Sequence, residues 1–273
     1  MVRDSSQPPL IAVDMDDVLC CTNEAVAQWH NNHYGTNLTI SDFHYYHYWK
    51  NPGWGDPSET LDKVKVFSYS DEFERVPPTK GAIEGVKSLK ALGYRLEIVT
   101  ARSTHHRPMT DAWLAQWLPG MIDKVHYTGE FEHNPKVAIP PPPTADGPKK
   151  ITKADILAMI GARLLIDDSL PNALLCAPVA PVLLFGNYQW NKRPSTDSSP
   201  QDKMSYAERE RWEEAEAKRR AAQTGTETTK DDWHKWWERE DLHELPANIT
   251  RVDSWKSVID WIESPEGQKI LAH

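Results

Sequence analysis

The chain has 273 residues, 39% of them hydrophobic, which is enough for one large α/β domain carrying an insertion or an extension. Its formal charge of −9 argues against a general binder of nucleic-acid polymers or membrane surfaces, since both partners are anionic. Three cysteines with no CxxC pair, no leader-like apolar stretch at the start and no run near the roughly 18 apolar residues of a membrane helix point to a soluble, cytoplasmic protein, the nucleus remaining open.

In chain order, residues 10–14 read as a buried strand that ends in three acids, Asp14, Asp16 and Asp17. Residues 23–75 change character, with many aromatic, His and Asn residues and Pro/Gly punctuation, and are expected to form short helices inserted after that strand. A helix over about 82–92 is stopped by Gly93. A strand through Leu96, Ile98 and Val99 stops at Thr100-Ala101-Arg102. A helix over about 110–118 and a strand over 124–127 follow. Pro140 to Pro143 make a stiff extended connector. Thr152 with Asp155 starts a helix over about 153–160. Leu164-Leu165-Ile166 is a strand that ends in Asp167-Asp168, and Val182 to Phe185 is another.

Strands alternating with helices imply a parallel sheet covered on both faces, with ligands at the carboxyl ends of the strands. Asp14, Asp16, Thr100, Asp167 and Asp168 all fall at such ends. Beyond the sheet, Lys203 to Gln223 is helix-prone but polar nearly all round, which suits a solvated arm. Residues 224–230 read as a flexible break. Trp233, Trp236 and Trp237 read as a docking helix whose rings either pin the tail to the main domain or engage a protein partner. Residues 249–262 carry apolar side chains at helical spacing and are expected to pack on the sheet as a helix. The expected division is a core of residues 1–22 and 76–192, the insertion 23–75, a charged helical and partly flexible segment 193–243, and a packed C-terminal helix in 244–273.

Residues two apart on an extended segment share a side, so Asp14 and Asp16 form a carboxylate pair suited to a hard cation such as Mg²⁺. The pair also suits a division of labour in which one acid attacks and the other moves a proton. Alone, it could equally cap the following segment. In the insertion, Phe43, Tyr45, Tyr46, Tyr48, Trp49 and Trp54 either form its own small core or stack on a base, with Trp49 the candidate for stacking. His30, His33, His44 and His47 make two HxxH pairs, read either as ordinary surface and core histidines or as zinc ligands.

These residues carry a resemblance. Asp14-Met15-Asp16-Asp17-Val18 resembles the DxDx(T/V) first motif of haloacid-dehalogenase-superfamily hydrolases; Thr100, Lys153 and Asp167-Asp168 resemble the second, third and fourth motifs. Order and strand placement match across residues 10–186. Thr100-Ala101-Arg102, Lys153 to Ile156, Leu165 to Ser169 and Leu183 to Asn191 are similar to the 5′(3′)-deoxyribonucleotidase group. The resemblance implies an α/β fold with a Rossmann-like parallel sheet, a small helical cap inserted after the first strand, and a charged helical C-terminal extension. It implies a Mg²⁺-dependent phosphohydrolase acting on a small phosphorylated metabolite, nucleoside monophosphates first, through an aspartyl-phosphate.

In that reading Asp14 is the nucleophile and Asp16 the acid and base. The Asp14 carboxylate, the Asp16 backbone carbonyl, Asp167 and Asp168 hold the metal, Asp168 being favoured by its spacing to Asn172. Thr100 and backbone N–H groups near Ala101 bind phosphate. Lys153, or Lys149 or Lys150 in its place, adds positive charge, and Arg102 is either a substrate contact or a surface residue. The rivals are a catalytically silent binding protein and a phosphotransferase or mutase of the same fold.

Overall fold

A computed structural model describes residues 7–129, 151–193, 199–230, 233–240, 242 and 244–272. Six parallel strands, β1 (Leu10–Val13), β2 (Arg95–Thr100), β3 (Lys124–Tyr127), β4 (Leu164–Asp167), β5 (Val182–Phe185) and β6 (Ile249–Val252), form one sheet in the order β3-β2-β1-β4-β5-β6. The helices are α1 (Thr22–Tyr34), α2 (Pro57–Phe67), α3 (Asp71–Glu74), α4 (Ala82–Ala91), α5 (Arg107–Trp117), α6 (Lys153–Ile160), α7 (Leu170–Cys176), α8 (Tyr206–Thr224), α9 (Trp255–Glu263) and α10 (Pro265–Leu271).

The period of two divides the strands' side chains between two cores. Ile11, Val13, Leu96, Ile98, Leu164, Ile166, Leu183 and Phe185 join one core with α4, α9 and the rings of the helical insertion. Ala12, Val99, Leu165, Val182 and Leu184 join the other with α6 and α7. The α/β sheet covered on both faces is the one expected.

One element is a correction. Residues 249–252 are the sixth strand, paired in parallel with β5, and only 255–263 of the expected 249–262 helix is helical. Ile249, Thr250 and Val252 are β-branched and complete the β5 edge, and Ser254 then starts α9 by accepting from the Ser257 N–H. Between β1 and β2 lie α1, short 3₁₀ turns at 40–42 and 48–50, α2, α3 and α4.

The charged segment is more firmly held than a free arm. Ser205 and Glu208 cap α8, and buried Glu213 accepts from Arg209 and Arg239 at 2.8 and 3.0 Å. Trp236 and Trp237, on a 3₁₀ turn over 236–238, are buried with Tyr45 and Tyr206. His44 stacks on Trp237 at 3.8 Å, and the Tyr45 hydroxyl donates to Glu240 at 2.7 Å. The tail is therefore pinned to the insertion. The tetraproline connector, Lys149 and Lys150 lie outside the described residues.

Candidate active site

Because β1 lies between β2 and β4, their carboxyl ends gather three sequence-distant groups around Asp14. Asp14 follows β1 directly, its N–H donating to Ile166 O at 2.9 Å. Thr100 ends β2 and Asp167 ends β4. Lys153 is the first residue of α6, whose start is fixed by reciprocal bonds between Thr152 and Asp155. Its Nζ lies 2.8 Å from Asp14 Oδ2 and 2.7 Å from Asp167 Oδ2, with all three side chains buried. The other oxygen of Asp167 accepts the Ser169 N–H at 2.9 Å. Asp168 accepts from the Trp190 indole N–H at 2.7 Å.

Oxygens of Asp14, Asp167 and Asp168 all lie within 4.8 Å of one another. Three buried carboxylates at this spacing exceed the single charge that Lys153 supplies. Burial pushes Asp14 up to about 7 despite the Lys153 attraction, with Asp167 and Asp16 adding repulsion. Burial, then repulsion from Asp17, Asp167 and Asp14, pushes Asp168 well above the carboxylate range. Burial alone would lower Lys153, but Asp14 and Asp167 outweigh it and hold the ammonium above its ordinary value. Hard oxygen donors, close together and under-compensated, fit a small divalent cation.

Asp16 departs from the side-by-side pairing expected. Its carboxylate takes the Arg102 guanidinium, with Nε at 3.2 and 3.0 Å from Oδ1 and Oδ2 and Nη2 at 2.7 Å from Oδ1. Thr22 adds a hydroxyl at 2.5 Å. Burial would raise the Asp16 carboxyl, yet Arg102 outweighs it and holds the group below its usual value. The turn causes the divergence: Asp17 adopts a left-handed φ of 56°, uncommon without glycine, and its carboxylate accepts the Asn23 N–H at 2.9 Å. The structure thus gathers Asp14, Asp167, Asp168 and Lys153 into one cluster and turns the Asp16 side chain toward Arg102.

Thr100 Oγ1 accepts the Arg102 N–H at 3.2 Å, so Thr100, Ala101 and Arg102 form a tight turn beside Asp14. Trp49 has His47 and the Lys50 ammonium as ring neighbours, the latter at 5.0 Å. The insertion's links to the site loops run instead through Tyr48, whose hydroxyl donates to Asn23, and Phe43, whose ring lies 6.4 Å from Trp190. Phe43 and Trp54 are core rings. His30 bonds Thr36 and Gly53 O, and His33 bonds Trp29 O. Among the described residues the aspartate trio is the one group of three or more side chains spaced to hold a metal. Trp190 and Thr22 lacked a role in the sequence reading. A tryptophan closely following the last core strand was the available signal for the first; none existed for the second.

Residues 8–130 match the family model described as 5′ nucleotidase, deoxy (pyrimidine), cytosolic type C protein. That match spans a little under half of the chain, and over those residues the chain is similar to the 5′-nucleotidase family. No curated protein matches the chain. Solved structures similar to it include a predicted phosphatase from Clostridium acetobutylicum, at 12% identity over 93% of this chain and 99% of that one, TM-score 0.46. Another is a haloacid-dehalogenase-family hydrolase from Deinococcus radiodurans R1, solved with bound phosphate and sodium, at 16% identity over 68% and 84%, TM-score 0.43. A third is a subfamily IA hydrolase from Geobacter sulfurreducens PCA, at 16% identity over 67% and 93%, TM-score 0.41. These likenesses are too distant to carry substrate or mechanism. No described helix is long and apolar enough to cross a membrane.

Proposed function

We propose that the chain is a magnesium-dependent phosphoric monoester hydrolase acting on small phosphate monoesters, with nucleoside monophosphates first, through an aspartyl-phosphate on Asp14. The observation that carries the reading is the buried Lys153 ammonium bridging Asp14 and Asp167 beside Asp168 at the carboxyl edge of the sheet. A fold has no use for so many buried acids around one lysine unless a cation and an anionic ligand complete the charge balance. The match to a 5′ nucleotidase family supports the substrate class.

Asp14 and Asp168 carboxylates, Asp167 and the Asp16 carbonyl would hold Mg²⁺. Bound there, it offsets the repulsion between an anionic carboxylate and an anionic phosphate. Lys153 holds Asp14 in place and adds charge beside the phosphoryl oxygens. The Thr100–Arg102 turn offers a hydroxyl and N–H groups to those oxygens. An Asp14 oxygen attacks phosphorus as the bond to the leaving oxygen breaks, and the Asp16 carboxylate, having taken up the proton that a monoester monoanion brings into the site, passes it to that oxygen. Water then attacks the aspartyl-phosphate, Asp16 takes its proton, and phosphate and free Asp14 are released. Asp16 suits proton exchange with the leaving group and with water, because its side chain is 28% exposed, against 6% for Asp14. The insertion would act as the cap, and the Trp49 ring would contact the substrate.

A panel of phosphorylated metabolites assayed with Mg²⁺ and with EDTA tests the reading. The expected result is Mg²⁺-dependent phosphate release, strongest for nucleoside monophosphates. No release from any monoester with Mg²⁺ present would reject it.

A further inference from the structure

Arg102 is buried, and each nitrogen of its guanidinium has a protein partner. Nε and Nη2 fork onto the Asp16 carboxylate, Nη2 also meets Cys20 Sγ at 3.5 Å, and Nη1 donates to Thr110 Oγ1 at 3.1 Å. The Thr110 hydroxyl donates to His106 O at 3.0 Å, which leaves its oxygen as an acceptor for the arginine. The guanidinium face is covered by the Phe73 ring, 4.6 Å away, and Phe73 belongs to α3 of the insertion. A substrate phosphate would have to displace these partners to reach Arg102.

The two Asp16 oxygens are unequally engaged. Among the described residues, Oδ1 accepts from Nη2, Nε and the Thr22 hydroxyl, whereas Oδ2 accepts from Nε alone, at 3.0 Å. A planar fork fixes a carboxylate's orientation in a way that a single point charge does not. We propose that Arg102 is a positioning residue that clamps the Asp16 carboxylate with both arms of its fork, leaves Oδ2, the less engaged oxygen, to relay the proton, and is itself held in register by Phe73 of the insertion. This rests on the hydrolase reading above and deepens it, by linking the seating of the insertion to the orientation of the proton-transferring acid. In the step concerned, the Oδ2–H bond breaks, the proton passes to the leaving oxygen as its bond to phosphorus breaks, and Asp16 is left as the carboxylate that Arg102 clamps.

The test uses the full chain, Mg²⁺ and a series of substituted phenyl phosphates, because 4-nitrophenolate leaves without help while phenolate needs a proton. Arg102→Ala should lose about 10²-fold in kcat on phenyl phosphate but only a few-fold on 4-nitrophenyl phosphate, with KM nearly unchanged. Arg102→Lys should not restore the loss, since an ammonium cannot reproduce the fork. A uniform kcat loss across the series would overturn the proposal. So would a raised KM that lysine repairs, which would mark Arg102 as a phosphate ligand. If Arg102→Ala fails to fold, Phe73→Ala decides: the same leaving-group bias at smaller amplitude supports the clamp, and its absence overturns it. A wild-type chain inactive on every phenyl phosphate would instead strike at the hydrolase reading.

Discussion

Removing the Lys153 ammonium would leave Asp14 and Asp167 buried against each other with one cation fewer. Breaking a buried pair by deleting one partner costs about 3–5 kcal/mol, because the remaining charge stays desolvated. Lys153→Met should therefore lower the urea midpoint by that equivalent, and Mg²⁺ should return part of it. A loss under about 1 kcal/mol would mean that the ammonium is not what offsets the buried acids. Asp14→Asn is the opposite case: it keeps the shape and removes one repelling charge. Its melting temperature should hold or rise, while turnover falls at least about 10³-fold, as for a nucleophile removed from a concerted site. Near-normal phosphate release would remove Asp14 from that role. Asp14, Thr100, Asp167 and Asp168 were legible because strand ends are marked by where an apolar run stops, and Lys153 because Thr152 and Asp155 mark a helix start. The partner of Arg102 was not: Asp16 is 86 residues away, and only the packing of β1 beside β2 joins them.

At the scale of elements, sequence periodicity failed where two patterns overlapped. The spacing of Ile249, Val252, Trp255, Val258 and Ile262 fits one helical face, yet its first third is a strand because β5 offered an open edge. An edge is a tertiary fact that a local window does not contain. The same blindness hid Gly85 in the middle of α4, where glycine weakens a helix by about 0.5–1 kcal/mol relative to alanine. A Cβ there would collide with the Trp255 ring of α9. That ring is nearly fully buried and donates to Val18 O at 2.9 Å in the turn beyond Asp14, so it braces the site loop. Gly85→Ala should therefore destabilise by about 1–3 kcal/mol through overpacking, despite its better helix propensity. Thermal unfolding would check it, and a stabilised variant would show that α9 yields easily.

For the whole molecule, the site's charge imbalance should appear in the pH dependence of stability. The folded Asp14 carboxyl, raised to about 7 from an ordinary 3.8, keeps a proton that the unfolded chain gives up near pH 4. Between those values the folded state binds more protons, so stability falls as pH rises through that window. Asp168 and Asp17 are shifted in the same direction and extend the fall upward. Asp16 works oppositely: its lowered carboxyl contributes stability that is kept at neutral pH and lost only in acid. Lys153, raised, keeps its proton throughout this range in both states, so it adds no slope. A divalent cation binds the deprotonated carboxylates and so competes with their protons. In EDTA the melting temperature should fall between about pH 5 and pH 7.5, and Mg²⁺ should return more at the higher pH. At a hundredfold excess over its dissociation constant the return is about 2.7 kcal/mol, or roughly 5 °C for a chain of this size. Asp168→Asn should lose most of that return while keeping its fold. A Mg²⁺ effect equal at both pH values, or undiminished in Asp168→Asn, would place the cation elsewhere than among these acids.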